Sequence, residues 1–272
     1  RLTQSSDGQK INSIKLVQSA VDLGIIMNYA QSANNSTAHV APTLTQYISA
    51  GLLNTDNATN KAINANNLSA INSAVEAKEA NDVNQLVALQ TIVNTYGKLA
   101  EAADGTKGNY KGAALTTSDY RLLGALSNFD SVSGEAGAGT TTSKALGTEQ
   151  NVAALNLLND AMDALSFGQQ VNSIAKINLV SQAVDKVLDQ AKASPATTLK
   201  VEDFGLLGIN GVTKDNLSTV VTDLQKASIA NVDGSALDSL VEIQAQVSLA
   251  QAQLYADSNS NLSLNLQNFK DF

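Results

Sequence analysis

The side chains able to do chemistry are few, and the scarcest of them sets the first limit. The chain has one histidine, His39, at the end of the polar stretch Ser32-Ala33-Asn34-Asn35-Ser36-Thr37-Ala38-His39. A catalytic imidazole needs a nucleophile to deprotonate and a third group to orient it. Neither neighbours His39 in sequence, and no Gly-x-Ser-x-Gly elbow exists to meet it. A solvated loop histidine is the expectation. Paired carboxylates can work without histidine, but Asp119, Asp203 and Asp233 stand where helical stretches begin, so their expected role is capping. Asp104-Gly105-Thr106-Lys107-Gly108-Asn109 and Asp56-Asn57 are oxygen-rich turns. Neither has the alternating acids and terminal Glu of a calcium loop, so plain polar turns are expected and no metal ligand is assigned. Calcium ordering of linkers is the only cofactor role left open. Gly134-Glu135-Ala136-Gly137-Ala138-Gly139 lacks the Lys-Ser or Lys-Thr of a phosphate cradle and has no strand before it, and reads as part of a flexible surface insertion. No catalytic or cofactor-binding residue is assigned, and a non-enzyme is expected.

Composition narrows the partners. With 17 basic and 25 acidic residues the net charge is −8, which opposes long-range attraction to nucleic acid or an anionic membrane. No run of about 18 apolar residues is present to span a bilayer, and no charged-then-apolar leader opens the sequence. Cysteine is absent, so stability rests on packing rather than on disulfides or thiolate metal sites. Hydrophobic residues make up 43% and charged residues 15%, enough apolar material for packed cores. With aromatics at 4%, no Trp and two prolines, close-packed helices joined through Ala, Leu, Val and Ile are expected.

The elements that would position such residues form a series. An aromatic followed four positions later by glycine occurs at Tyr47–Gly51, Tyr120–Gly124 and Phe204–Gly208. Each pair opens a unit whose second part has apolar residues at helical spacing: Leu68, Ile71 and Val75, then Val152, Leu155, Leu158 and Met162, then Leu217, Val220 and Leu224. A third part follows a polar break and continues in steps of three and four: Leu86, Leu89, Ile92, Val93 and Tyr96, then Ile174, Ile177, Val180, Val184 and Leu188, then Leu237, Leu240, Ile243, Val247 and Leu254. The breaks correspond as Asn81-Asp82-Val83-Asn84, Gln169-Gln170-Val171-Asn172 and Ala230-Asn231-Val232-Asp233, where Asn or Asp can cap the next helix. The glycine is expected to end its short helix in a left-handed conformation, and the aromatic to anchor the packing.

Residues 1–40 then read as the end of a preceding helical unit and a linker, because Leu16-Val17-Gln18-Ser19-Ala20-Val21-Asp22 echoes Leu179-Val180-Ser181-Gln182-Ala183-Val184-Asp185. Residues 41–113, 114–196 and 197–260 form three repeat units, the second with a Gly/Thr-rich insertion near 128–149. Residues 261–272, including Phe269, open a further unit, so the sequence is expected to be cut from something longer. The fold class is all-α: tandem three-helix bundles in an elongated array. Sequons at Asn34, Asn35, Asn57, Asn67, Asn216 and Asn261 are what an Asn- and Ser-rich composition generates, and glycan attachment is not expected.

In the first unit Tyr47, Gly51, Asn67, Leu68, Ile71, Asn72, Val83, Asn84, Leu86, Leu89 and Ile92, and in the third Phe204, Gly208, Asn216, Leu217, Val220, Val232, Asp233, Leu237, Leu240 and Ile243, carry a pattern that resembles the albumin-binding-type three-helix (GA-like) modules of bacterial surface proteins. The pattern is similar, too, to helical repeats of very large adhesins and surface-layer proteins. The resemblance implies extracellular display on a bacterial cell, as a non-catalytic adhesin stalk or a surface-layer or filament-forming repeat. Its partners would be copies of itself or adjacent repeats. Albumin binding does not carry over, because the binding residues have no position-by-position match. The alternative is a module that grips a host or environmental protein through an exposed helix face.

Overall fold

The structure, a computed structural model, describes residues 14–30, 39–56, 61–123, 148–190, 195–229 and 236–256, with backbone alone at 148–151. Among these residues the chain is helical and has no strand. The elements in order are α1 (Ile14–Tyr29), α2 (Leu44–Ala50), α3 (Leu68–Glu76), α4 (Leu86–Ala102), α5 (Thr117–Leu122), α6 (Thr148–Ala164), α7 (Phe167–Gln170), α8 (Ile174–Asp189), α9 (Val201–Leu206), α10 (Leu217–Ile229) and α11 (Leu240–Ala256). No helix among the described residues is long and apolar enough to cross a membrane. Gly124, the insertion near 128–149, Asp233 and Phe269 lie outside the described residues, as do 261–272.

The chain gathers into two compact units, each built from separate stretches. The first takes Arg1–Glu101, Ser118–Ala125 and Phe167–Ala175, and the second Ala102–Thr117, Leu126–Ser166 and Lys176–Phe272. In the first unit α1 packs on α2 and α3, and Ser19 Oγ donates to the Ala50 carbonyl at 3.1 Å. Tyr47, Ile71, Leu89, Ile92 and Tyr96 form its fully buried centre. The Tyr96 ring meets Phe167 edge-on at a centroid distance of 6.2 Å. In the second unit α11 packs on α10 and α6 around Leu157, Leu158, Phe204, Leu224 and Ile243.

Two local differences from the sequence reading have simple causes. On α6 the buried face is Ala153, Ala154, Leu157, Leu158, Ala161 and Met162, while Val152 is exposed and Leu155 only half-buried. The spacing through Val152 and Leu155 passed over Leu157 and the three alanines, small side chains that let helices approach closely. The second polar break is partly helical: α7 occupies Phe167–Gln170, and Asn172 Nδ2 donates back to the Gly168 carbonyl at 3.0 Å.

Candidate functional site

The aromatic anchors found in the sequence lie within three short helices. Tyr47, Tyr120 and Phe204 are each completely buried, in α2, α5 and α9. Burial pushes the hydroxyls of Tyr47 and Tyr120 well above their ordinary range. The Tyr47 hydroxyl donates to Asn72 Oδ1 at 2.8 Å, and Asn72 Nδ2 donates to the Pro42 carbonyl at 3.0 Å, so the buried polar atoms are paired. Gly51 follows α2 at φ 115°, and Gly208 follows α9 at φ 74°.

Around Tyr47–Gly51 and Phe204–Gly208 the same backbone hydrogen bonds are made. Gly51 N donates to Ile48 O and Leu52 N to Tyr47 O, and in the later stretch Gly208 N donates to Gly205 O and Ile209 N to Phe204 O. At the front of each helix a side chain accepts from the residue three positions before it: Gln46 Oε1 from Thr43 N at 2.8 Å, and Asp203 Oδ2 from Lys200 N at 2.8 Å. Behind each glycine, a glutamine takes hold of the departing chain. Leu53 N donates to Gln90 Oε1 at 3.1 Å, and Asn210 N donates to Gln244 Oε1 at 3.3 Å. Gln244 Nε2 returns a bond to Asn210 O, while Gln90 Nε2 reaches Lys61 O. Before the next helix an asparagine fastens its own turn. Asn67 Oδ1 accepts from Asn64 N and its Nδ2 donates to Ala62 O; Asn216 Oδ1 accepts from Thr213 N and its Nδ2 donates to Gly211 O.

These clamps, apart from the anchors, were missed in sequence, yet they left traces. Both glutamines close the motif Leu-Val-x-x-Gln, at Leu86–Gln90 and Leu240–Gln244, and both asparagines open Asn-Leu-Ser. The side chains of Asn67 and Asn216 are buried and spent on backbone groups, which accounts physically for two of the six sequons being unsuited to a glycan. A further pair recurs: Lys98 Nζ meets Asp119 at 3.0 Å, and Lys186 Nζ meets Asp203 at 2.5 Å, each linking a long helix to the short helix that follows it. Asp203 thus caps its helix and binds a lysine, and Asp119 stands at the same place in α5.

Replacing Gly51 with valine is expected to destabilise the protein by about 1–2 kcal/mol, because a β-carbon is strained at this φ. The Leu86 methyl that would lie 2.9 Å from the new carbon is the end of a partly exposed side chain and can move aside. An unchanged urea midpoint for Gly51→Val would contradict this role.

The remaining chemical candidates are held by their own surroundings. His39 is half-buried rather than fully solvated, with Nδ1 3.0 Å from Asn28 Nδ2 and Nε2 enclosed. Asp56 accepts from Ala62 N. In the turn after α4, Asp104 accepts from Lys111 Nζ at 2.6 Å, Asn109 Nδ2 at 2.9 Å and Thr106 N at 2.8 Å. Asp163 accepts from the amides of Gly108 and Tyr110, and Asp160 from the Tyr110 hydroxyl and the Leu240 amide. The Asp160 bond and burial push the Tyr110 hydroxyl up to about 12. Asp160 and Asp163 tie this turn and the start of α11 to α6, while Asp104 braces the turn from within. Among the described residues no group of three His, Cys, Asp or Glu is placed to hold a metal ion.

The bonds from Lys111 and then Asn109 hold the Asp104 carboxyl well below its usual range. A depressed carboxyl contributes stability above its unfolded value, about 3.9, and that contribution is lost as pH falls through the lower folded value. Carboxyl NMR titration of Lys111→Met is expected to return Asp104 toward the ordinary range. An Asp104 titration unmoved by that substitution would contradict the assignment. In comparisons with protein-family models, curated proteins and solved structures, nothing matches this chain.

Proposed function

We propose that this chain is a non-catalytic structural and interaction element of a secreted bacterial cell-surface protein, built from tandem three-helix repeats in an adhesin stalk, surface layer or filament. The observation that carries the reading is the matched hardware around Tyr47–Gly51 and Phe204–Gly208. The same bonds are made by different residues, Gln46 in one and Asp203 in the other, as expected of copies that diverged while keeping one scaffold. Polar side chains that a catalyst would aim at a substrate are used here to fasten turns: Asp104, Asp160, Asp163 and Asp189 all accept from nearby amides. Repeats of roughly 75 residues are marginal alone and gain stability from neighbours, which suits a function arising from length and repetition. Adjacent repeats and copies of the same protein are its partners in this reading, and the low charge density opposes lateral contact only weakly.

Location is the first test. Antibodies raised against this chain are expected to label intact cells of the source organism, and brief external protease treatment to remove the label. Labelling only after permeabilisation would overturn the surface assignment.

A further inference from the structure

Helix α1 carries two apolar faces, and only one of them is used. It packs on α2 and α3 with Asp22, Ile26 and Tyr29 buried. Rotated well away from these on the helix, Ile14, Val17 and Val21 rise one above another in steps of three and four. They stay open to solvent, at 89%, 42% and 48% exposure. The alignment of α1 with α8 places Ile177, Val180 and Val184 at the same positions, and these are 0%, 1% and 0% exposed. Rotation of the helix does not explain the contrast, since Leu16 and its counterpart Leu179 are exposed alike, at 51% and 47%. The third-part helix α11 likewise buries Leu240, Ile243 and Val247, and it packs on α10, the helix before it.

We infer that Ile14, Val17 and Val21 form a docking stripe for an amphipathic helix of the α10 kind, belonging to a further repeat that α1 completes as its third helix. The inference rests on the tandem-repeat reading. The occupant has apolar residues spaced as Leu217, Val220 and Leu224 are on α10, a helix whose Val220 and Leu224 are sealed from solvent. Its flanks are largely neutral, because the only charged residues of α1 are Lys15 and the buried Asp22, which receives Gln18 Nε2 at 3.1 Å. A stripe with so little charge beside it selects by shape and apolar area rather than by ion pairing.

The test adds a copy of residues 197–229 ahead of Arg1 of the full chain, so that residues 1–13 stand before α1 as residues 230–239 stand before α11. Hydrogen exchange is then read helix by helix. Protection of the added second helix is expected, with α1 amides slowing by about tenfold or more. Val17→Asp with Val21→Asp should return the added helix to unstructured rates and leave α9 to α11 unchanged. An added helix that exchanges at unstructured rates without those substitutions would overturn the inference, as would equal protection of α1 by a scrambled segment. Sedimentation of the unextended chain covers the remaining case: a dimer dispersed by the double substitution would make a second copy the occupant and also overturn it. Ile243→Asp with Val247→Asp in the native chain separates this from failure of the repeat reading. Loss of α10 protection there, without docking on α1, sinks the docking inference alone, whereas α10 staying protected undermines the repeat reading.

Discussion

Phe204→Ala is expected to lower stability by about 3–5 kcal/mol, the range for removing a large buried ring. That is a large part of the margin of a typical domain, and urea unfolding followed by hydrogen exchange in α9 to α11 should show the second compact unit giving way first. Phe204 is completely buried and sits within a six-residue helix that has little stability of its own. The sharper form of this expectation uses the Tyr47–Asn72 pair. Aligning α3 with α10 places Val221 at the position of Asn72, so the first copy has Tyr with Asn and the third has Phe with Val. Phe204→Tyr alone should cost roughly 1–3 kcal/mol, since it buries a hydroxyl without a partner. Phe204→Tyr with Val221→Asn should recover most of that loss. Strictly additive costs in the double variant would mean that the two sites are not counterparts.

The second large effect is expected at the asparagine clamps, and the two should differ. Asn67→Ala strips partners from both Asn64 N and Ala62 O and should cost about 2–4 kcal/mol. Asn216→Ala should cost less, about 1–3 kcal/mol, because Gly211 O keeps a bond from Gln251 Nε2 at 2.8 Å. Urea midpoints of the two variants check both size and order. Equal losses, or a larger one at Asn216, would show that the clamp bonds do not set the cost.

Helical class was legible because apolar spacing in steps of three and four is a strong local signal, and few prolines or glycines interrupt it. The burial of Tyr47, Tyr120 and Phe204 was legible for the same reason: large rings in short apolar stretches have few other places to go. The clamps were harder to see. Gln90 and Gln244 act on chain far from them in sequence, at Leu53 and Asn210, and only the folded path brings them there. Asn67 directly precedes α3, where a capping role would be the sequence expectation, but its side chain turns back to Asn64 and Ala62 instead of capping forward. The face of α6 was misjudged because alanine carries little hydrophobic weight, although Ala153, Ala154 and Ala161 are buried. His39 was placed in solvent from the polarity of its neighbours, yet Asn28, outside that stretch, meets its ring.

The central claim is that this protein works through repeated, mutually supported helical units rather than through a reactive centre. Negative-stain electron microscopy of the purified full polypeptide that carries this chain, at a concentration near that on a cell surface and with and without calcium, tests it most directly. Ordered sheets, filaments or thin rods with an axial repeat are the expected result. Isolated compact particles under every condition, with no repeat along any axis, would contradict it.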